Sequence, residues 1–360
     1  MEKVIHIVEP TLEGESGHCH SFVESLCRAR EAGGPVLWVW AGRRARLPRM
    51  EAAGATVRPH FHRRIRRFQE YFLLAKLLAG PGRIFISTAG RSDLVLLDLA
   101  ARAEIPPGKV FLYFHWVRPT PSKEDRLRKV ASRHPHLAIL APTGSVAEVL
   151  LRSGFRETRV VPYPVAPASD ATAPSGFRHL LYAGAARQDK GFSAVVDLVV
   201  HMAELGLDVP VLVQASADHY EKYDTATRSD LARLAAVRYP DLCLLRESLD
   251  SAAYAGLFRG AICLQPYDRG DFRDRISGVT LDALSGGCPV VATSGTWIAR
   301  VVDRFGAGRT VDGLDPQSLL AAVEEIRGDY DRLRDNAFRA GLALREENSA
   351  RHLLAVLTGD

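Results

Sequence analysis

The segment FRDRISGVTLDALSGGCPVVAT, residues 272–293, holds the densest structural signal in this 360-residue chain. Two carboxylates, Asp274 and Asp282, stand eight positions apart, with Ser277 and Gly278 between them at what reads as a helix start. A Gly286-Gly287 turn then leads into a short apolar strand, 289–292. The N–H groups in the first turn of a helix have no intrahelical partner and attract phosphate. Ionised carboxylates only accept hydrogen bonds, so the two aspartates suit sugar hydroxyls. Together these features predict a site for a sugar joined to a diphosphate.

Outward from this segment, strand-like and helix-like runs alternate. Residues 4–8, 36–41, 84–87, 110–115, 138–141 and 159–161 read as strands; 21–31, 93–103 and 145–153 read as helices. A Pro-, Ala- and Ser-rich stretch, 162–176, breaks the pattern, which then restarts. Strands are expected at 179–183, 209–214, 242–245 and 261–265, and helices at 192–205, 231–239, 252–258, 316–327 and 330–345. Such alternation predicts an α/β protein with parallel sheets and crossover helices. Two doubly wound, Rossmann-like domains facing across a cleft are expected, with boundaries 1–165 and 177–345 and a linker at 166–176. The last helical piece, 349–357 within 346–360, is expected to return to the first domain.

Bulk properties agree with this class. At 47% hydrophobic and 25% charged residues, the chain has material for sizeable cores. No apolar run approaches a membrane span, and the charged start MEKVIHIVEP is unlike a signal peptide, which predicts a cytoplasmic protein. The five scattered cysteines lack a CxxC spacing and read as reduced. The net charge of +5 is unevenly spread: nine arginines fall between Arg43 and Arg67. A basic patch of this kind favours an anionic partner. It lacks interleaved stacking aromatics, so nucleic acid is not the expected one. The segment 58–78 passes from basic to apolar and suits either an anionic membrane surface or a core-packed helix with a basic face.

Three further pieces carry candidate chemistry. In the loop after the first strand, Gly14 and Gly17 would let backbone approach a ligand, and Ser21 would open the helix. The neighbouring His18, Cys19 and His20 point in different directions and do not predict a metal site. His115 ends an apolar strand, at the sheet edge where ligands bind in this architecture. In LLYAGAARQDKGF, residues 180–192, a strand runs into a Gly184 turn, and Arg187 and Lys190 precede a helix opened by Gly191. Two cations beside a helix start hold a diphosphate and stabilise its charge as a leaving group.

These pieces, in this order, resemble a retaining glycosyltransferase of the GT-B fold, similar to the large glycosyltransferase family four. That family has two glutamates separated by seven residues, then a small-residue turn and a Pro-Val-Val strand; here Asp274, Asp282 and SGGCPVVAT correspond. Its Gly-Arg…Glu-Lys-Gly loop resembles GAARQDKG, residues 184–191; its strand-end histidine resembles His115; its strand before the linker resembles VVPYPV, residues 160–165. The resemblance implies transfer of a sugar from a nucleotide diphosphate sugar to an acceptor hydroxyl with retained configuration, in glycan, polysaccharide or glycolipid biosynthesis. The first domain would bind a glycan or lipid-linked acceptor and the second the donor. His115, Asp274, Lys190 and Arg187 would be catalytic, with Asp274 on the donor sugar and Lys190 on the diphosphate. Gly17, Gly184, Ser277, Gly278, Val279 and Thr280 would bind the donor, Asp282 would hold the ribose, and 246–251 would meet the base. No metal and no cofactor is expected, and an anionic membrane surface at its inner face would be a further partner.

The chain departs from that pattern in three places. Both glutamates are aspartates, one methylene shorter. The arginine after the loop glycine is Ala185, which leaves Arg187 as its replacement. The N-terminal glycine pair is spread out as Gly14 and Gly17. Alternatives from other classes are a sugar-nucleotide epimerase, which releases donor without an acceptor, a non-catalytic nucleotide-sugar binder, and a nucleic-acid binder using the arginine cluster.

Overall fold

The computed structural model describes residues 3–15, 17–117, 120–164, 175–215, 223–247 and 249–359. The expected linker therefore lies outside the described residues except for 175 and 176, as does position 248 of the expected base-binding segment. The chain divides into two compact units, Met1–Ala168 with Arg345–Asp360, and Ser169–Leu344.

The first unit is a seven-stranded parallel sheet of β1 (Val4–Val8), β2 (Val36–Gly42), β3 (Thr56–Phe61), β4 (Arg83–Ile86), β5 (Val110–Tyr113), β6 (Ala138–Ala141) and β7 (Thr158–Val160). Their spatial order is β3-β2-β1-β4-β5-β6-β7. The crossovers are helical: α1 (His18–Ala29), α2 (Pro48–Ala52), α3 (Arg66–Ala79), α4 (Arg91–Ala100), α5 (Pro121–Arg133) and α6 (Gly144–Arg152). The second unit has six parallel strands, β8 (His179–Tyr182), β9 (Val211–Gln214), β10 (Leu242–Leu245), β11 (Ala261–Gln265), β12 (Val290–Thr293) and β13 (Gly308–Val311), ordered β10-β9-β8-β11-β12-β13. Its helices are α7 (Phe192–Glu204), α8 (Thr225–Ala236), α9 (Ser251–Gly256), α10 (Arg269–Phe272), α11 (Gly278–Ser285), α12 (Trp297–Phe305) and α13 (Pro316–Gly328). Then α14 (Tyr330–Glu347) leads to α15 (Ala350–Thr358).

Parallel sheets are covered on both faces, so their central strands lose polar alternation. β5, β6, β11 and β12 are buried at every position. In the first unit one face packs Ile84, Ile86, Leu112 and Ile139 against Leu74, Leu97, Val130 and Leu150. The other packs Ile5, Ile7, Phe85 and Tyr113 against Phe22, Leu26, Leu353 and Leu357. The last two come from α15, which thus belongs to this core; Arg83 Nη1 also donates to the Leu357 carbonyl at 2.5 Å. In the second unit Leu180, Tyr182, Ile262 and Leu264 pack with Phe192, Val195 and Val199 of α7 and Val323 of α13.

Several boundaries differ from expectation for identifiable reasons. α1 begins at His18, with Gly17 at φ +82° before it, and Ser21 Oγ bonds back to the Gly17 carbonyl at 3.4 Å instead of capping. β5 ends at Tyr113, which puts His115 two residues beyond the strand. β3 (TVRPHF) and β13 (GRTV) are edge strands with weak apolar patterning and escape the sequence; Pro59 is tolerated at such an edge. α3 is packed into the core by the buried Leu73, Leu74 and Leu77, while Ile65, Phe68 and Phe72 stay more than half exposed.

Leu353 is fully buried, so Leu353→Ala is expected to destabilise the first unit by about 2–5 kcal/mol through the cavity it leaves. A urea denaturation midpoint equal to that of the parent chain would show that α15 is only loosely attached.

Candidate functional site

In the second unit the strand order reverses between β8 and β11. Loops leaving two such neighbours run to opposite sides, and the crevice at their carboxyl ends is where open α/β sheets bind ligands. Both loops singled out in the sequence leave these two strands.

The loop after β8 turns at Gly184 (φ +103°), whose N–H donates to Gln214 Oε1 at 2.5 Å. A Cβ on Gly184 would sit 3.1 Å from Lys190 Nζ, so the missing side chain makes room for the ammonium. A single 3₁₀ turn, Gln188–Lys190, presents the cations and ends at Gly191 (φ +66°). Any Cβ at Gly191 would collide with the Pro266 carbonyl just beyond β11, so glycine is required there on both grounds. The Asp268 N–H then donates to the Asp189 carbonyl at 3.0 Å, tying the two loops together.

Charge is concentrated at this junction. Arg187 pairs with Asp189 through two nitrogens, Nε at 2.8 Å from Oδ1 and Nη2 against Oδ2. Arg275 Nη1 approaches the same carboxylate at 3.6 Å from the other loop. Lys190 Nζ lies 5.7 Å from the centre of the buried Tyr267 ring. Burial, then Arg187 and Arg275, bring the Lys190 ammonium down to about 8, against the opposing pull of Asp189 and Cys263. Tyr267 is pushed well above its ordinary value by burial, so it stays a neutral phenol; its hydrogen bond with Ser277 works the other way.

α11 starts where the sequence expects. Ser277 caps it, its Oγ accepting from the Thr280 N–H at 3.3 Å. Thr280 is fully buried, and its hydroxyl donates to Gln265 Oε1 at 2.6 Å, so its side chain braces β11. Gly278 and Val279 supply the remaining N–H groups of the first turn. The two carboxylates have unlike surroundings. Asp274 is held between guanidiniums, with Arg273 Nε at 3.0 Å and Arg300 Nη2 at 3.2 Å, and Arg300 also donates to the Arg273 carbonyl at 2.7 Å. Asp282 lies on the exposed face of α11 and hydrogen-bonds with the hydroxyl of the half-buried Tyr254. Asp189, Tyr267, Arg275 and Arg300 were not singled out in the sequence; the arginine density of RGDFRDR, residues 269–275, was the available signal.

The first unit reverses between β1 and β4, and a polar cluster lies at that point. The Glu9 carboxylate, only 2% exposed, accepts from Thr11 Oγ1 at 2.7 Å and Ser87 Oγ at 2.8 Å. His115 Nε2 lies 2.9 Å from the Ser87 carbonyl and 3.5 Å from Thr88 Oγ1, with Phe22, Tyr113 and Tyr163 around its ring. The first contact fixes Nε2 as a donor, since a carbonyl only accepts. Cys19 lies 3.8 Å from Thr88 Oγ1; burial and then Glu9 push its thiol up to about 12, so it remains protonated. Gly17 is exposed at the start of α1, and Gly14 lies in the loop before it. Among the described residues no group of three His, Cys, Asp or Glu side chains is placed to hold a metal ion.

No protein-family model matches the chain, and no curated protein sequence matches it. Solved structures do. Sucrose-phosphate synthase from Thermosynechococcus elongatus aligns over 99% of this chain and 98% of its own, with a TM-score of 0.67 at 14% identity. Anabaena HepE in complex with UDP-glucose aligns over 99% and 98%, with a TM-score of 0.70 at 13% identity. WaaG, a glycosyltransferase involved in lipopolysaccharide biosynthesis, aligns over 99% and 100%, with a TM-score of 0.68 at 12% identity. Two Rossmann-like units of this order give the chain the GT-B fold of glycosyltransferases.

The position of Lys190 sets an expected pH dependence. Its ammonium faces Arg187, Arg275, Asp189, Tyr267 and Cys263, and in the unliganded chain it loses its proton near pH 8. Bound diphosphate would favour the charged form. Affinity for a nucleoside diphosphate should therefore be flat between about pH 7 and pH 8 and fall by up to about tenfold per unit above that. Calorimetric titration with UDP, GDP and ADP across this range checks it; affinity that is constant or rises above pH 8 would show that the Lys190 charge does not meet the diphosphate.

Proposed function

We propose that this chain is a retaining glycosyltransferase that moves a hexose from a nucleotide diphosphate sugar to an acceptor hydroxyl. The observation that carries the reading is the convergence of Lys190, Arg187 and the first turn of α11 on the crevice between β8 and β11. That crevice offers ammonium, guanidinium and backbone N–H groups to one anion, which is the chemistry a diphosphate needs. The solved complex of HepE with UDP-glucose, which shares the fold, supports the donor class.

In this mechanism the anomeric carbon develops oxocarbenium-like charge as its bond to the diphosphate oxygen lengthens. The electron pair of that bond leaves with the diphosphate, where Lys190, Arg187 and the helix start stabilise it. The acceptor hydroxyl attacks from the face the diphosphate leaves, and its proton passes to a departing phosphate oxygen. Asp274, fixed by Arg273 and Arg300, accepts from donor-sugar hydroxyls. Asp282 accepts from the ribose, and Gly184 with Gly278 and Val279 gives the diphosphate close access to backbone. In the first unit, His115 and Gly17 serve hydroxyl recognition. The positive charge is supplied by side chains, so the reading is metal-independent.

Lys190→Ala and Asp274→Ala are each expected to lower the rate of sugar transfer by about a hundredfold or more, with a chelator present throughout. Undiminished transfer by both folded variants would sink the assignment, and donor turnover without any acceptor product would favour an epimerase.

The acceptor reading is lipid-linked, in glycolipid or polysaccharide assembly. Phe68 and Phe72 stack edge to face at 4.7 Å on the outer side of α3, with Ile65 beside them. Together with Trp40, His60 and Leu73 they line a groove of about 430 Å³. Arg63 and Arg64 are exposed just before it. Apolar rings rimmed by cations match an anionic membrane surface. No helix among the described residues is long and apolar enough to cross a membrane, so contact would be peripheral, at the inner face. Sedimentation with phosphatidylglycerol vesicles is expected to exceed that with phosphatidylcholine, and Phe68→Ser with Phe72→Ser to abolish the difference. Equal recovery with both vesicle types would refute the surface.

A further inference from the structure

The donor crevice holds a cation that the resemblance does not account for. At position 185, where an arginine is expected, this chain has alanine, whose methyl group cannot reach an anion. Arg187 is the replacement nearest in sequence. Its side chain is 45% exposed, and two of its nitrogens are spent on the two oxygens of Asp189. Arg275 is placed differently. Its side chain is only 28% exposed, and its guanidinium lies 4.9 Å from the centre of the Phe272 ring, which fixes the plane of the fork. Its contact with Asp189 is 3.6 Å, an ion pair beyond hydrogen-bond length. Phe272 itself packs edge-on against Tyr267 at 4.6 Å, the ring over which Lys190 sits. Arg275 also stands two residues before the Ser277 cap of α11.

On these grounds, and resting on the donor reading above, we propose that Arg275 is a diphosphate-binding residue, standing in for the arginine absent at position 185. Lys190 comes from the loop after β8 and Arg275 from the loop after β11, so an anion in the crevice is gripped from both sides of the strand-order reversal. The cations crowd one another: burial and then Arg187 lower the affinity of the Arg275 guanidinium for its proton, and Arg275 in turn lowers that of Lys190. A diphosphate relieves this repulsion and offers the planar fork two oxygens at hydrogen-bond distance.

The test is calorimetric titration of the full chain with UDP, GDP, ADP and CDP, followed by the nucleoside and nucleoside monophosphate of the base that binds. Arg275→Gln is expected to weaken the diphosphate by about tenfold or more, the monophosphate less, and the nucleoside hardly at all. Arg187→Gln should change diphosphate affinity less than Arg275→Gln does. Adding Ala185→Arg to Arg275→Gln should recover much of the loss. If Arg275→Gln does not fold, Arg275→Lys keeps the charge without the fork and should still weaken the diphosphate selectively. Parental diphosphate affinity in the folded Arg275 variant overturns the proposal while leaving the donor reading intact. Equal loss for nucleoside and diphosphate also overturns it, because it marks a purely structural role. A parent chain that binds no nucleoside diphosphate overturns the donor reading and this proposal together.

Discussion

The reversal of strand order between β8 and β11 is the constraint on which the second unit depends. A sheet wound outward in both directions from one central pair sends the two following loops apart, and only there does backbone from both sides border one crevice. The chain then draws the loops back together. Gly191 rests against the Pro266 carbonyl, and the Asp268 N–H bonds to the Asp189 carbonyl. With those contacts in place, Lys190 and Arg275 share a neighbourhood although they stand 85 positions apart in sequence.

Holding like charges together and partly out of water costs free energy, and the surroundings offset it. Asp189 accepts both arginines, while the Tyr267 and Phe272 rings face Lys190 and Arg275. A site preorganised in this way reorganises little when negative charge develops on a leaving group. The aspartate pair obeys the same logic. Asp274 is one methylene shorter than glutamate, and two flanking arginines fix where its short side chain presents its oxygens. Asp282, on the exposed face of α11, is held instead by the Tyr254 hydroxyl.

The first unit repeats the topology with different chemistry. At its own reversal, between β1 and β4, the groups are Glu9, Ser87, Thr88 and His115, which form a hydrogen-bonded set. Burial explains why so polar a group is stable: the Glu9 carboxylate receives a hydroxyl on each oxygen, as a buried acceptor must.

Sequence determined what depends on short range. Apolar runs such as 261–265 and 138–141 became the strands they read as, because a strand buried on both faces is mostly apolar and admits a polar side chain such as Gln265 only with a hydrogen-bond partner. Ser277 became a cap because its hydroxyl needs only the N–H three residues on. Edge strands β3 and β13 were not legible, since TVRPHF and GRTV hold no apolar run, unlike the edge strand β10, LCLL. Lys190 and Arg187 could be recognised beside a glycine turn, but Arg275 read as one more surface arginine. Only tertiary structure decided that it lies beside Asp189, because that neighbourhood is made by two loops from strands that become adjacent when the sheet closes. The same holds for Asp274, whose charge was plain in the sequence. Its hold between Arg273 and Arg300 was not, because Arg300 arrives on α12, after the next strand. Local hydrogen bonding and burial period are written residue by residue, whereas a charged site is a sum over chain segments that only packing brings within a few ångströms.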